Sequence, residues 1–189
     1  MRYYLDTEFI EDGRTIDLIS IGLVAEDGRE FYACSTEAQL HRADDWVRAN
    51  VLPKLPPYGG AEWKKRADIR DELLRFLGYK LPGNATESAL VQAFGVDPIA
   101  PPASKPELWA YFADYDWVAF CQLFGRMIDL PKGMPMFCMD LKQWAKQLGV
   151  DKSTAGWPVQ ESEQHDAIAD ARWNRQLHAF LTSVASGAQ

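Results

Sequence analysis

Apolar residues come in short β-type runs at the start of the chain and at helical spacing further on, and this change of period sets out the elements. Tyr3–Phe9 reads as a first strand, Glu11-Asp12-Gly13 as a turn, and Ile16–Ala25 as a second, strongly apolar strand. Asp27-Gly28 then separates two strand-like runs, so Glu30–Ser35 is expected to return antiparallel to the second strand. The pattern turns helical over Asp44–Leu52 and again over Ala61–Leu77, where Ile69, Leu73, Leu74 and Leu77 gather near one face. Pro53, Pro56, Pro57, Gly59 and Gly60 break the chain between the two. Further on, Leu108–Ala113 reads as a buried strand, Asp116–Met127 as a helix, Met136–Met139 as a short strand, and Asp140–Leu148 and Asp166–Leu181 as helices. The stretch from about Gly78 to Pro106, rich in Pro, Gly and Ala with a short helix at Glu87–Phe94, is an excursion from the core: a lid, a dimer element or a variable insertion. The order β-β-β-α-β-α-β-α predicts a single α/β domain over residues 1–189, a mixed sheet flanked by helices.

Composition narrows the class without naming an activity. The 47% hydrophobic and 25% charged residues suit a globular domain with a continuous core rather than disorder. A net charge of -7 argues against sequence-blind adhesion to duplex nucleic acid, which relies on many Lys/Arg–phosphate contacts. It leaves nucleic acid open as a substrate, because bound divalent cations would reverse the charge of an acidic cleft. Cys34, Cys121 and Cys138 show no CxxC spacing, so zinc-ribbon and disulfide frameworks fit poorly and reduced thiols are expected. The start of the chain runs straight into a strand, and no apolar run approaches the roughly 20 residues of a membrane span. A soluble, cytoplasmic protein is expected.

The chemistry concentrates at both ends of the chain. Side chains alternate across a strand, so Asp6 and Glu8 share one face, with Thr7 and Phe9 on the other. Two carboxylates so placed repel each other unless a cation lies between them, and Mg²⁺ or Mn²⁺ suits all-oxygen ligation. Alone, Asp-x-Glu is common, and the pair reads more readily as a solvated acidic strand end. His165 and Asp170 are five positions apart, which on one continuous helix separates them by about 140°. For the two to share a site, His165 must precede the helix. The alternative makes Asp166 a solvated helix start and Asp170 a surface partner of Arg172 or Arg175. A mid-chain acid is offered by Asp116, ahead of the apolar helical register Phe120, Leu123 and Phe124, with Asp114 as competitor.

Taken together, acid-x-acid on the first strand, a mid-chain aspartate opening a helix and His-x4-Asp near the end resemble the DEDDh 3′–5′ exonucleases. The runs YLDTEFIEDGRTIDLISIGLVAEDGREFYA, WVRANVLPKL, ELWAYFADYDWVAFCQLFG and HDAIADARWNRQL resemble those of the mycobacterial polyadenylate-specific exoribonucleases, which are RNase T-like. The resemblance implies a ribonuclease H-like sheet whose first three strands are antiparallel and later ones parallel. It implies two Mg²⁺ ions, replaceable by Mn²⁺, on Asp6, Glu8, Asp116 and Asp170, with His165 as general base. It also implies an RNA substrate with a free 3′ end, release of nucleoside 5′-monophosphates, and a homodimer. Phe112 stands where many members carry an asparagine four residues before the mid-chain aspartate. Thr7, Phe9, Trp117 and Trp157 are candidate substrate contacts, Trp109, Trp144 and Trp173 read as core, and Lys64-Lys65-Arg66 is a small basic cluster. Oligoribonuclease or single-strand DNA exonuclease activity remains an alternative, as does a non-catalytic nucleic-acid-binding module.

Overall fold

The computed structural model describes residues 1–83, 99–160 and 164–187. Six strands form one sheet in the order β4-β3-β2-β1-β5-β6. β1 (Arg2–Glu11), β2 (Ile16–Ala25) and β3 (Glu30–Ser35) are antiparallel neighbours, the second and third joined through Asp27-Gly28 as the turn chemistry predicts. β4 (Trp63–Lys64) joins β3 in parallel, and β5 (Glu107–Ala110) and β6 (Met139–Asp140) extend the other edge in parallel from β1. This is the mixed α/β sheet expected from the sequence.

Five helices are present among the described residues: α1 (Asp45–Asn50), α2 (Arg66–Phe76), α3 (Ala113–Gln122), α4 (Leu141–Leu148) and α5 (Ala167–Ala185). They cover both faces of the sheet. Tyr3 and Leu5 of β1 and Ile21 and Leu23 of β2 pack against Ile69, Leu73 and Leu74 of α2 and Phe120 of α3. On the opposite face, Tyr4 and Trp109 pack against Leu141 of α4 and Leu177 and Leu181 of α5. Ile10 and Ile19 close a third cluster with Val47 of α1. Trp109 is buried as expected, with Trp144 beside it at 5.2 Å between ring centroids.

Several boundaries differ from the sequence reading. The helix expected over Ala61–Leu77 begins only at Arg66, because Trp63 and Lys64 are drawn into the sheet beside Cys34 and Ser35. The helix expected from Asp116 begins a turn earlier, at Ala113, since the preceding strand stops at Ala110. The strand expected at Met136–Met139 is reduced to Met139–Asp140, after which Asp140 caps α4 by accepting from the Gln143 N–H at 2.7 Å. The helix proposed at Glu87–Phe94 lies outside the described residues. The flanks of that excursion do meet: Lys80 and Ala100 exchange two backbone hydrogen bonds of 3.0 Å, with Leu81 and Ile99 packed on the core.

Candidate active site

Asp6 and Glu8 lie in the central part of β1, which continues to Glu11 beyond the expected end at Phe9, on the face that α5 covers. What lets α5 come close is Gly22, which pairs with Asp6 across the β1–β2 ladder. A Cβ on Gly22 would lie 2.3 Å from the Ala167 carbonyl oxygen, so only glycine admits the first turn of α5 at this depth. Next to this contact the ladder slips between Glu8 and Phe9, whose partners are Ser20 and Leu18, leaving Ile19 as the extra residue of a bulge. Asn174 then fixes the helix, donating from Nδ2 to the Leu5 carbonyl at 2.8 Å.

The start of α5 meets the geometric condition set by the spacing. Asp166 is the N-cap and Ala167 the first helical residue, so His165 lies outside the helix, with a left-handed φ of 65°. Its backbone N–H donates to Asp170 Oδ2 at 2.8 Å, turning the loop back onto the first turn. Gln160 Nε2 donates to the other oxygen, Asp170 Oδ1. Asp170 is therefore not a surface partner of nearby arginines: Arg172 holds Glu30 through two bonds of 2.8 and 2.7 Å, and Arg175 donates to the Glu26 carbonyl. The His165 ring meets Trp46 of α1 edge-on, with centroids 4.7 Å apart.

Asp116 arrives from the opposite face, in the first turn of α3. Phe112 precedes that helix in a left-handed conformation, φ 58° and ψ 51°, which for a bulky side chain is a strained position that asparagine tolerates better. The new helix is tied down by Asp140 Oδ2, which accepts the Ala113 N–H at 2.7 Å. Thr7 supplies the decisive contact. Its backbone N–H and its hydroxyl both donate to Asp116 Oδ1, at 2.8 and 2.6 Å. Thr7, read from sequence as a weak substrate candidate, is a buried orienter of Asp116, although it also borders the cleft.

Asp6, Glu8, Asp116, His165 and Asp170 all line one cleft of about 470 Å³. Ligand atoms of Glu8, His165 and Asp170 lie within 4.8 Å of one another. Burial holds Asp6 well above the ordinary carboxylate range, and the charges of Asp116, Asp170 and Glu8 push it further. Glu8 is raised from 4.5 to about 8 by burial, then by Asp170 and Asp116, with Lys54 pulling it down. Asp116 is raised to about 7 by burial, against the lowering effect of the Thr7 hydrogen bonds. Asp170 is raised by burial, against Gln160 and the His165 N–H. Among the described residues none of the four acids has a lysine or arginine ion-pair partner. Buried and half-buried carboxylates that repel one another and lack an ion-pair partner among the described residues form a donor set suited to divalent cations.

The remaining candidates divide. Phe9 lines the cleft, its ring stacked on Tyr115 at 5.6 Å and 11°. Trp157 lies in an adjoining groove beside Trp173. Trp117 does not border the cleft: it stacks on Phe120 at 5.2 Å and packs against the main core, so a substrate contact there loses its geometric basis. Trp173, read as core, borders the groove, with its Nε1 donating to the Pro158 carbonyl at 3.0 Å. Lys64 and Arg66 are committed to Glu72 and Asp17. Sequence reasoning missed Trp46, Asp44 and Tyr111 on the cleft wall, and Gly22 and Asn174 behind it. Only Gly22 carried a signal, a glycine inside a strand pattern.

Comparison with known proteins adds a lineage to this geometry. The family described as 3′-5′ exoribonuclease Rv2179c-like domain matches residues 1–182. Two curated proteins of Mycobacterium tuberculosis are 45% identical to this chain over 184 residues, covering 97% of it and 95% of each relative. They are the 3′-5′ exoribonuclease Rv2179c of strain H37Rv and the 3′-5′ exoribonuclease MT2234.1 of strain CDC 1551 / Oshkosh.

Proposed function

The chain belongs to the Rv2179c-like 3′-5′ exoribonuclease family, and on that premise we propose that it trims adenylate-containing RNA from a free 3′ end with two divalent cations held by Asp6, Glu8, Asp116 and Asp170. The family makes it a hydrolytic 3′–5′ exoribonuclease. The cation requirement, the base preference and the division of roles are our reading. The observation that carries it is the cleft itself: four carboxylates from β1, α3 and α5 converge with His165 and without a basic partner among the described residues.

The ions would be Mg²⁺, with Mn²⁺ as substitute, and when bound they supply water activation and neutralise charge on the departing 3′-oxygen. The chain's own residues do the rest. A ring nitrogen of His165 takes the proton of the attacking water, a contribution of about 10²–10⁴-fold. The water oxygen bonds to phosphorus, the bond from phosphorus to the 3′-oxygen of the preceding nucleotide breaks, and that oxygen leaves with the proton restored. The product is a nucleoside 5′-monophosphate. Thr7 keeps Asp116 aimed, Gln160 and the His165 N–H keep Asp170 aimed, and the Phe9–Tyr115 stack offers an aromatic wall to the terminal nucleoside.

Labelled poly(A), poly(U) and single-stranded DNA of equal length, each incubated with Mg²⁺ or with chelator, test the reading. We expect nucleoside 5′-monophosphate released fastest from poly(A) and none with chelator. Full activity in chelator would remove the cations, and equal rates on DNA would shift the assignment to a single-strand DNA exonuclease. We further propose a homodimer, supported by the exposed Met127, Ile128, Met136, Phe137 and Met139 on the segment leading into edge strand β6. Light scattering at the mass of one chain would refute that. A cytoplasmic setting is our reading from three free thiols. No helix among the described residues is long and apolar enough to cross a membrane.

A further inference from the structure

Beyond the catalytic cleft, a groove of about 580 Å³ lies between Tyr111, Trp173, Lys142 of α4 and the segment 157–160, within the usual size of a small-ligand site. It is continuous with the cleft. A smaller cavity of about 230 Å³ lies between them, sharing Asp6, His165 and Asp170 with the cleft and Gln160, Gln164 and Trp173 with the groove. Tyr111 borders all three spaces. The carboxylates thus stand at the junction of two open spaces.

A phosphodiester cut at that junction has a nucleoside on each side. The cleft wall of Phe9, Tyr115 and Trp46 suits one of them. The groove suits the other, and its chemistry is that of a nucleotide: half-buried ring surfaces of Tyr111, Trp157 and Trp173, together with two ammonium groups, Lys142 and Lys152. Neither lysine is in an ion pair among the described residues. The acid that also lines the groove, Asp151, accepts from the Ser153 N–H and hydroxyl at 2.8 and 2.6 Å and feels the charge of both lysines without an ion-pair contact to either. Lys142 Nζ stands 5.8 Å above the Tyr111 ring and 5.9 Å from that of Phe112, a cation held beside an aromatic surface. In a chain of net charge -7, two cations outside any ion pair among the described residues, beside half-buried rings and next to a phosphodiester site, are a specific feature.

We propose that this groove seats the RNA nucleotides immediately upstream of the scissile bond, their bases against Trp157 and Tyr111 and their phosphates facing Lys142 and Lys152. The subsite rests on the exonuclease reading above and explains how the strand is held after each terminal nucleotide departs. Single-stranded RNA is recognised in this way, by ring stacking and backbone neutralisation.

The test compares two substrates of the full-length protein with Mn²⁺: an oligoadenylate of six nucleotides, and the p-nitrophenyl ester of thymidine 5′-monophosphate, which has no upstream nucleotide. For Lys142→Ala/Lys152→Ala, the ratio of KM on the hexamer to KM on the ester should rise about tenfold, with a shallower dependence on salt. Trp157→Ala should raise the same ratio and Trp157→Phe restore it. A ratio that stays at the wild-type value in the double lysine variant overturns the subsite while leaving the nuclease reading intact. Failure of the wild-type protein to cleave either substrate overturns the nuclease reading, and the subsite falls with it.

Discussion

Replacing Glu8 with glutamine should make the cation-free protein more stable at pH 8 while abolishing its turnover. Glu8 is 8% exposed and faces Asp6, Asp116 and Asp170 across the cleft. Burial and those charges raise its carboxyl from 4.5 to about 8. A folded-state value above the unfolded one means that folding favours the protonated acid. The associated stability is fully present below about pH 4.5 and is lost as pH rises towards 8. At about 1.4 kcal/mol per tenfold change in proton affinity, the ceiling on the loss is about 5 kcal/mol. The buried amide must itself be desolvated, which returns part of that gain and leaves about 2 kcal/mol. In a domain of this size that is about 4–8 °C in Tm. Thermal melts in chelator across pH 4 to 9 should therefore show the variant below wild type at the acid end, where the amide's desolvation costs about 3 kcal/mol against a protonated carboxyl. The two curves should then cross, with the variant above wild type at pH 8. Added Mn²⁺ should raise the wild-type Tm more than that of the variant. A variant less stable than wild type at pH 8 in chelator would refute the picture of mutually repelling buried acids.

Three further substitutions probe single contacts. His165→Ala should lower kcat by about 10²–10⁴-fold while Mn²⁺ affinity, read by calorimetry, changes little; loss of Mn²⁺ binding would make the imidazole a ligand rather than the base. Thr7→Val removes the 2.6 Å hydroxyl bond to Asp116 and should cost about 10–100-fold in activity or Mn²⁺ affinity with the fold retained, and wild-type activity would contradict the orienting role. Gly22→Ala forces a Cβ against the Ala167 carbonyl, so a loss of about 3 kcal/mol with a fall in activity is expected by denaturant titration, and a neutral effect would contradict the close approach of α5.

What the sequence made legible was local. Period-two alternation put Asp6 and Glu8 on one face, Asp27-Gly28 announced the hairpin, and helical geometry required His165 to precede α5, as it does. What escaped depended on elements distant in sequence. Trp63 and Lys64 carry a pattern compatible with a helix, yet an open edge at Cys34 and Ser35 takes them as a strand. Thr7 reads as a candidate substrate contact until α3 brings Asp116 to within 2.6 Å of its hydroxyl. Trp117 is the candidate beside Asp116, yet its ring packs into the main core, while Trp46 of α1, which nothing in the sequence pattern singles out, borders the cleft. Residue type and spacing thus located the acids; the side chains that aim them required the packing of α3 and α5 on β1.

The most direct test is anomalous scattering from crystals soaked in Mn²⁺ with adenosine 5′-monophosphate. The account predicts two Mn²⁺ peaks about 3.5–4 Å apart among the carboxylates of Asp6, Glu8, Asp116 and Asp170. A cleft with nucleotide bound and no Mn²⁺ peak among these four side chains would contradict it.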